Sequence, residues 1–250
     1  MFTTDLTGAT ALVTGAGRGF GRGIAAALSM AGAQVVGVAR DHVQLHQVHT
    51  QLGDSFIPVS ADAADPMVAG QPIDTYRPRI LVLNAGAIPL PRPIQHHSWQ
   101  AFTRNWDVDV QHVFHWSREA LLAQLERGST VITMSSGAAI NGSPLSGGYA
   151  GAKATIRFIT SYAAAESERD DMGINFVSVL PQLTPTTALG AVGVAAYAAR
   201  QGIDEATFVQ HLGTPLTPEH VGEAVTDLIT HRAPAHGAYL LTATGLKPLT

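Results

Sequence analysis

The sequence predicts an α/β protein of the doubly wound, three-layer type, built around a central parallel sheet of about seven strands. Three observations lead there. Short apolar runs of strand length alternate with longer segments of helical periodicity along the whole chain. The first of these runs is followed by a glycine-rich turn and a helix, and the next strand comes within about 30 residues, the pattern of a dinucleotide-binding unit. Finally, 250 residues with 46% hydrophobic content suit one domain with a sizeable core. We therefore expect residues 1–250 to form one unit, without repeats or interdomain linkers.

Composition narrows the chemistry. A net charge of −4 with 14% charged residues provides no basic field for nucleic acid. The absence of cysteine excludes a disulfide framework, a thiolate nucleophile and Cys-ligated zinc. Nowhere do about 18 apolar residues run uninterrupted, and Met1–Gly8 shows no basic region leading into an apolar run. A cytoplasmic protein without membrane contact is expected, with small molecules or other subunits as partners.

In chain order, 9–14 reads as a buried strand, Gly15-Ala16-Gly17-Arg18-Gly19-Phe20-Gly21 as the turn, and 22–31 as an Ala-rich helix. Glycines let the backbone approach a pyrophosphate, which the helix N-terminus then receives. After the second strand, 34–39, comes Ala39-Arg40-Asp41. If Ala39 holds the place of the acid that binds a ribose 2′-hydroxyl, Arg40 and Arg18 form a two-cation cradle favouring NADP. A one-residue shift in register would instead make Asp41 a ribose ligand. His42, His46 and His49 share a short helix, but no carboxylate joins them and no metal site is expected.

A third strand, 56–60, precedes Asp62, placed to meet an adenine edge. The Pro-punctuated segment 63–79 predicts a truncated helix. The fourth strand, 80–83, ends in Asn84-Ala85-Gly86, small residues that leave room for a ligand. A Pro-rich loop over 87–97 leads into a long helix over 99–125. His96, His97, His112 and His115 are expected at helix surfaces or interfaces. The fifth strand, 130–134, a helix over 149–168 and a sixth strand, 174–180, follow, the last closing on Pro181-Gln182. Residues 184–212 read as helical and mildly apolar, a candidate lid over substrate. A final helix over 218–231, capped by Thr217, and a last strand over 238–242 complete the order.

The stretch Ser135–Lys153 carries the candidate chemistry. Tyr149 and Lys153 lie four apart, on one helix face. A phenol is a poor proton donor or acceptor at neutral pH unless a nearby cation stabilises its phenolate, and a lysine one turn away can do so. Ser135 and Ser136 end the preceding strand, where neighbours point oppositely, and Ser135 is assigned to the sheet interior.

Taken together, Thr14-Gly15-x-x-x-Gly19-x-Gly21, Asp62, Asn84-Ala85-Gly86, Ser136, Tyr149-x-x-x-Lys153 and Pro181 resemble the short-chain dehydrogenase/reductase family nearly end to end, with Ser136 preceding Tyr149 by 13 positions. The resemblance implies a Rossmann-like fold and an NADP(H)-dependent oxidoreductase acting on a ketone or secondary alcohol. It assigns Tyr149 as proton donor to the carbonyl, Ser136 as its hydrogen-bond partner and Lys153 as holder of the nicotinamide ribose. It also places Gly15, Arg18, Gly19, Phe20, Gly21, Arg40, Asp62, Asn84, Ala85, Gly86, Tyr149, Lys153, Pro181, Thr184 and Thr186 around the cofactor. Homodimers or homotetramers are common in the family, and the apolar surplus of the fourth and fifth helices fits them.

Departures from the family pattern leave open a weakened nucleotide-binding scaffold or regulator, and a dehydratase or epimerase that keeps the nucleotide is a further alternative. Asp109 stands where the family has an Asn, Gln182 follows Pro181 in place of Gly, Thr184 replaces an aliphatic residue, and Leu83 replaces the first Asn of Asn-Asn-Ala-Gly. A carboxylate at position 109 would strengthen the Lys153 cation and blunt its effect on Tyr149. The expected pocket, formed by Ser136, Tyr149, the 88–94 loop and 188–212, is mostly apolar and suits a hydrophobic carbonyl compound.

Overall fold

The computed structural model describes residues 5–230 and 236–249. Strands β1 (Thr10–Thr14), β2 (Gln34–Ala39), β3 (Phe56–Ser60), β4 (Ile80–Leu83), β5 (Thr130–Met134), β6 (Asn175–Pro181), β7 (His236–Thr242) and β8 (Gly245–Leu249) form one sheet in the order β3-β2-β1-β4-β5-β6-β7-β8. Every pairing is parallel except that of β7 with β8. The sheet therefore has eight strands where about seven were expected. The extra strand is the C-terminal hairpin partner Gly245–Leu249, whose Leu-Lys-Pro-Leu sequence carries too little apolar alternation to be recognised alone.

The near-continuous apolar strands are explained by helices on both faces. On one side, α1 (Gly19–Met30), α2 (His42–Leu52) and α10 (Pro218–Thr230) cover Val13, Val35, Ile132 and Val177. On the other, α3 (Gly70–Tyr76), α5 (Gln111–Leu122) and α7 (Gly148–Arg169) cover Leu12, Val36, Leu81 and Phe176, with Trp116 fully buried among them. The indole N–H of Trp116 donates to the Ala63 carbonyl at 2.9 Å, so its polar edge is satisfied. Thr217 caps α10 as expected, accepting the His220 N–H at 3.3 Å, while the expected last residue of that helix, His231, lies outside the described residues, as do Met1–Thr4.

Three element boundaries depart from expectation. Helix α1 begins at Gly19, not Arg22, because the last glycines of the turn already form its first turn. The long helix over 99–125 is three pieces: α4 (Trp99–Asn105), a π turn at Trp106–Val110, and α5, which stops at Leu122. Residues 184–212 form α8 (Ala188–Gln201) and α9 (Glu205–Leu212), split at Gly202 in the left-handed region and restarted by Asp204, which accepts the Thr207 N–H at 2.9 Å. A further short helix, α6 (Ala138–Asn141), follows β5. Among the described residues no helix is long and apolar enough to cross a membrane.

Candidate active site

The carboxyl ends of the parallel strands open into one cleft of about 1050 Å³, lined from Gly15 and Arg18 at one end, past Asn84, Gly86 and Tyr149, to Leu189 and Phe208 at the other. Its first wall is the glycine turn. Gly15 has φ +67°, and a Cβ there would stand 2.8 Å from Asn84 Nδ2. A Cβ on Gly21 would fall 2.2 Å from the Gly15 carbonyl oxygen, so only glycine lets α1 start this close to β1. Arg18, the N-cap residue of α1, makes no side-chain cap bond, and Arg18, Gly19 and Phe20 of this helix start line the cleft. A narrow glycine cradle at an uncapped helix start, continuous with a long cleft, fits a dinucleotide.

The residues around Arg40 are placed by hydrogen bonds. Ala39 ends β2 opposite Ser60, and Asp41 Oδ1 accepts the N–H groups of Val43 and Gln44 at 3.0 and 3.1 Å. Asp41 is thus the N-cap of α2. Arg40 points instead toward Asp62, 3.7 Å away, with both side chains well exposed. Asp62 also accepts the Ala64 N–H at 3.0 Å. Asn84 is a tie between strands: its Nδ2 donates to the Thr14 carbonyl at 3.1 Å, while its own N–H donates to Thr14 Oγ1 at 2.9 Å.

Ser136, Tyr149 and Lys153 line the middle of the cleft together. Ser136 follows β5, and its Oγ accepts the Ala138 N–H at 3.2 Å as α6 begins. Ser135 turns the other way and donates to the Lys153 carbonyl at 2.7 Å, pinning α7 to the end of β5. Lys153 Nζ sits 5.7 Å from the centroid of the Tyr149 ring and donates to the Met134 carbonyl at 3.0 Å. Nζ also lies 3.2 Å from Asp109 Oδ2, both side chains being buried. Burial pushes the Lys153 pKa down, but the negative charge of Asp109 and the Tyr149 oxygen outweigh it and leave the group above its ordinary value.

Thr184 and Thr186 both donate to the Leu216 carbonyl, at 2.6 and 2.7 Å. Those bonds close the base of the segment that carries α8 and α9. That segment has a small core of its own in Val194, Ala198 and Phe208. Its Tyr197 hydroxyl is hydrogen-bonded to Ser143 Oγ on the opposite rim. Phe20, Ala85, Gly86 and Pro181 line the cleft as well, so every residue assigned to the site from sequence except Gly21, which lies beneath the turn, borders it.

The residue that sequence reasoning misplaced is His112. Expected at a helix surface or an interface, it is fully buried, lines the cleft with Val108 and Lys153, and neither ring nitrogen has a hydrogen-bond partner among the described residues. Burial first, and then the Lys153 charge, push its pKa down to about 3; the Ala85 backbone opposes this weakly, in a contact short of hydrogen-bond geometry. Its place on the inner face of α5, one turn after Asp109, was visible as spacing only once the π turn was known.

Residues 9–194 match the family described as short chain dehydrogenase. The chain belongs to the short-chain dehydrogenase/reductase family. Within it, the chain is 29% identical to carbonyl reductase (NADPH) 2 of Sus scrofa over 191 residues, 76% of this chain and 75% of that protein. It is 27% identical to the L-xylulose reductase of Mesocricetus auratus over 251 residues, covering 95% of this chain and 98% of that one. Among solved structures, the 3-ketoacyl-(acyl-carrier-protein) reductase of Brucella melitensis complexed with NADH superposes with a TM-score of 0.76 at 25% identity, over 90% of this chain and 92% of that one. As a short-chain dehydrogenase/reductase with such relatives, this protein is an oxidoreductase of the CH–OH/C=O class.

Proposed function

We propose that this oxidoreductase uses NADP(H) to interconvert a hydrophobic ketone and its secondary alcohol. The observation that carries the reading is the convergence of Ser136, Tyr149 and Lys153 on one cleft that runs on from the glycine turn. Gly15, Gly19 and the start of α1 would hold the pyrophosphate, and Asn84–Gly86, Lys153 and the Pro181–Thr186 segment the nicotinamide half. Bound there, the cofactor supplies or takes up the hydride. Ser136 holds the substrate oxygen by donating a hydrogen bond, and Tyr149 delivers its proton to that oxygen, or removes it in the reverse direction. Lys153 keeps a positive charge beside the Tyr149 ring, which favours the phenolate left behind.

The choice of NADP(H) rests on charge. Ala39 supplies no acid, Asp41 is committed to the α2 cap, and Arg40 and Arg18 both line the cleft with side chains able to meet a 2′-phosphate. The carbonyl reductase relative carries NADPH in its name, whereas the Brucella neighbour holds NADH. The substrate end is lined by Ile88, Pro89, Leu145, Leu183, Leu189 and Phe208, which favours an apolar body around the reacting carbon. Helices α8 and α9 act as a lid over that end. Phe114, Leu122, Phe158 and Tyr162 are exposed on α5 and α7 and offer an apolar face for a second copy of the chain.

The test is turnover of a panel of apolar ketones and aldehydes with NADPH and with NADH, alongside titration of each cofactor by nicotinamide fluorescence. NADPH-dependent reduction, with NADH bound at least about tenfold more weakly, is expected. Equal or better use of NADH would overturn the cofactor assignment, and cofactor binding without turnover of any carbonyl would favour a regulatory nucleotide-binding role.

A further inference from the structure

Asp109 meets Lys153 because the helix that carries it is irregular. The π turn Trp106–Val110 inserts an extra residue into the winding, an arrangement that recurs at functional sites. It places Asp109 where the side chain has no exposure. Oδ1 accepts the Ala87 N–H at 2.8 Å, and Asn105 Nδ2, which donates to the Ala87 carbonyl at 2.8 Å, lies 3.5 Å from the same oxygen. The carboxylate is thus held from two sides, with Oδ2 left facing Lys153 Nζ and the open side of Gly86.

The surroundings of Lys153 contain few other charges. From its own helix it meets Tyr149, from α5 His112, and from the π turn Asp109. Strand β5 offers the Met134 carbonyl, the residues after it the hydroxyls of Ser135 and Ser136, and the segment after β4 Asn84, Ala85 and Gly86, none of them charged. His112 is held neutral by its burial and by Lys153 itself. A lysine this deeply buried sheds its proton readily, because the ammonium has lost its water. Asp109 is the one full anion among the described residues packed against it.

We propose that Asp109 is a positioning residue whose carboxylate keeps the buried Lys153 ammonium charged, so that Tyr149 works beside a cation at alkaline pH. This rests on the roles given to Tyr149 and Lys153 above, and it makes the strengthened cation, rather than a blunted effect on Tyr149, the consequence of the carboxylate that matters for the site. Removing the carboxylate leaves a buried ammonium without its counter-ion, which then deprotonates at lower pH.

The chain contains two lysines, Lys153 and Lys247, so protein labelled with lysine carbon-13 at Cε gives two titrating signals, assigned with Lys247→Arg. In the wild type the Lys153 signal is expected to titrate above the range in which free lysine is half-charged. In Asp109→Asn, which preserves shape and the acceptor for Ala87 N–H, it should titrate about one pH unit or more lower, and Asp109→Glu should restore the high-pH behaviour. The kcat/KM profile for alcohol oxidation should follow: flat at alkaline pH in the wild type, falling about tenfold per pH unit in Asp109→Asn. A wild-type Lys153 that titrates below free lysine, or an Asp109→Asn signal and profile that match the wild type, would overturn the proposal. The spectroscopic readout needs no turnover, so a wild type inactive on carbonyls would sink the functional reading while the Lys153 titration still decides whether Asp109 holds the lysine charged.

Discussion

The Arg40 guanidinium lies 3.7 Å from the Asp62 carboxylate, bridging the ends of β2 and β3 at the edge of the cleft. Both side chains are largely exposed, with 71% and 48% of their surface open, so the pair is weakly held and Arg40 can be recruited by a better anion. A cofactor 2′-phosphate, doubly charged and matched to the guanidinium fork, is such an anion. Replacing Arg40 with Ala is expected to weaken NADPH binding by about tenfold or more while leaving NADH nearly unchanged, as fluorescence titration would measure. Equal weakening of both cofactors would remove Arg40 from the selectivity argument.

Asp41, beside it, has a different task. Its carboxylate satisfies two N–H groups at the start of α2, and loss of such a cap costs about 1 kcal/mol. Asp41→Ala should therefore lower the melting temperature by roughly 2–4 °C and leave the NADPH to NADH preference where it was. A selective loss of NADH affinity in this variant would show Asp41 to be the ribose ligand after all.

The Tyr197 hydroxyl joins α8 to Ser143 on the rim formed by the loop after α6. The segment 188–212 has a small core of its own, and this bond ties it to the rim of the cleft. Tyr197→Phe removes one hydrogen bond of about 1 kcal/mol, so KM for the carbonyl substrate should rise about fivefold with NADPH affinity unaltered. Limited proteolysis near Gly202 and Gly213 should speed up in parallel. An unchanged KM would mean that the lid is held by packing alone.

His112 gives the fold a pH dependence with a definite sign. Its pKa falls from an ordinary 6.5 to about 3 in the folded chain, so between those values the unfolded chain binds the extra proton and the folded one does not. Stability from this group is complete above pH ~6.5 and declines as pH falls toward about 3, by a total on the order of a few kcal/mol. Urea unfolding between pH 7 and 4 should show this slope, and His112→Leu should flatten it. A slope that survives in the variant would assign the acid sensitivity to other groups.

The parallel three-layer sheet and the cleft were legible because they depend on patterns that survive without coordinates. Glycines at fixed offsets after β1, small residues after β4, and Tyr149 and Lys153 on one helical face each follow from backbone geometry. What the sequence hid were features set by tertiary packing. The π turn at Trp106–Val110 leaves no composition signal, yet it decides that Asp109 and His112 face inward. Likewise the cap that Asp41 makes on α2, through hydrogen bonds from Val43 and Gln44, could not be told from a ribose ligand's place by sequence alone. Strand β8 escaped because an antiparallel edge partner of five residues needs no strong alternation to pair.

The proton-transfer role of Tyr149 is the centre of the proposed chemistry, and Tyr149→Phe addresses it with the loss of one oxygen atom. The decisive measurement is kcat for NADPH-dependent reduction of the best carbonyl found, taken together with the NADPH dissociation constant of the same variant. A fall in kcat of about 10²–10⁴-fold with NADPH binding preserved is the result expected of a lost general acid. Turnover that persists near the wild-type rate would contradict the assignment of Tyr149 and, with it, the proposed mechanism.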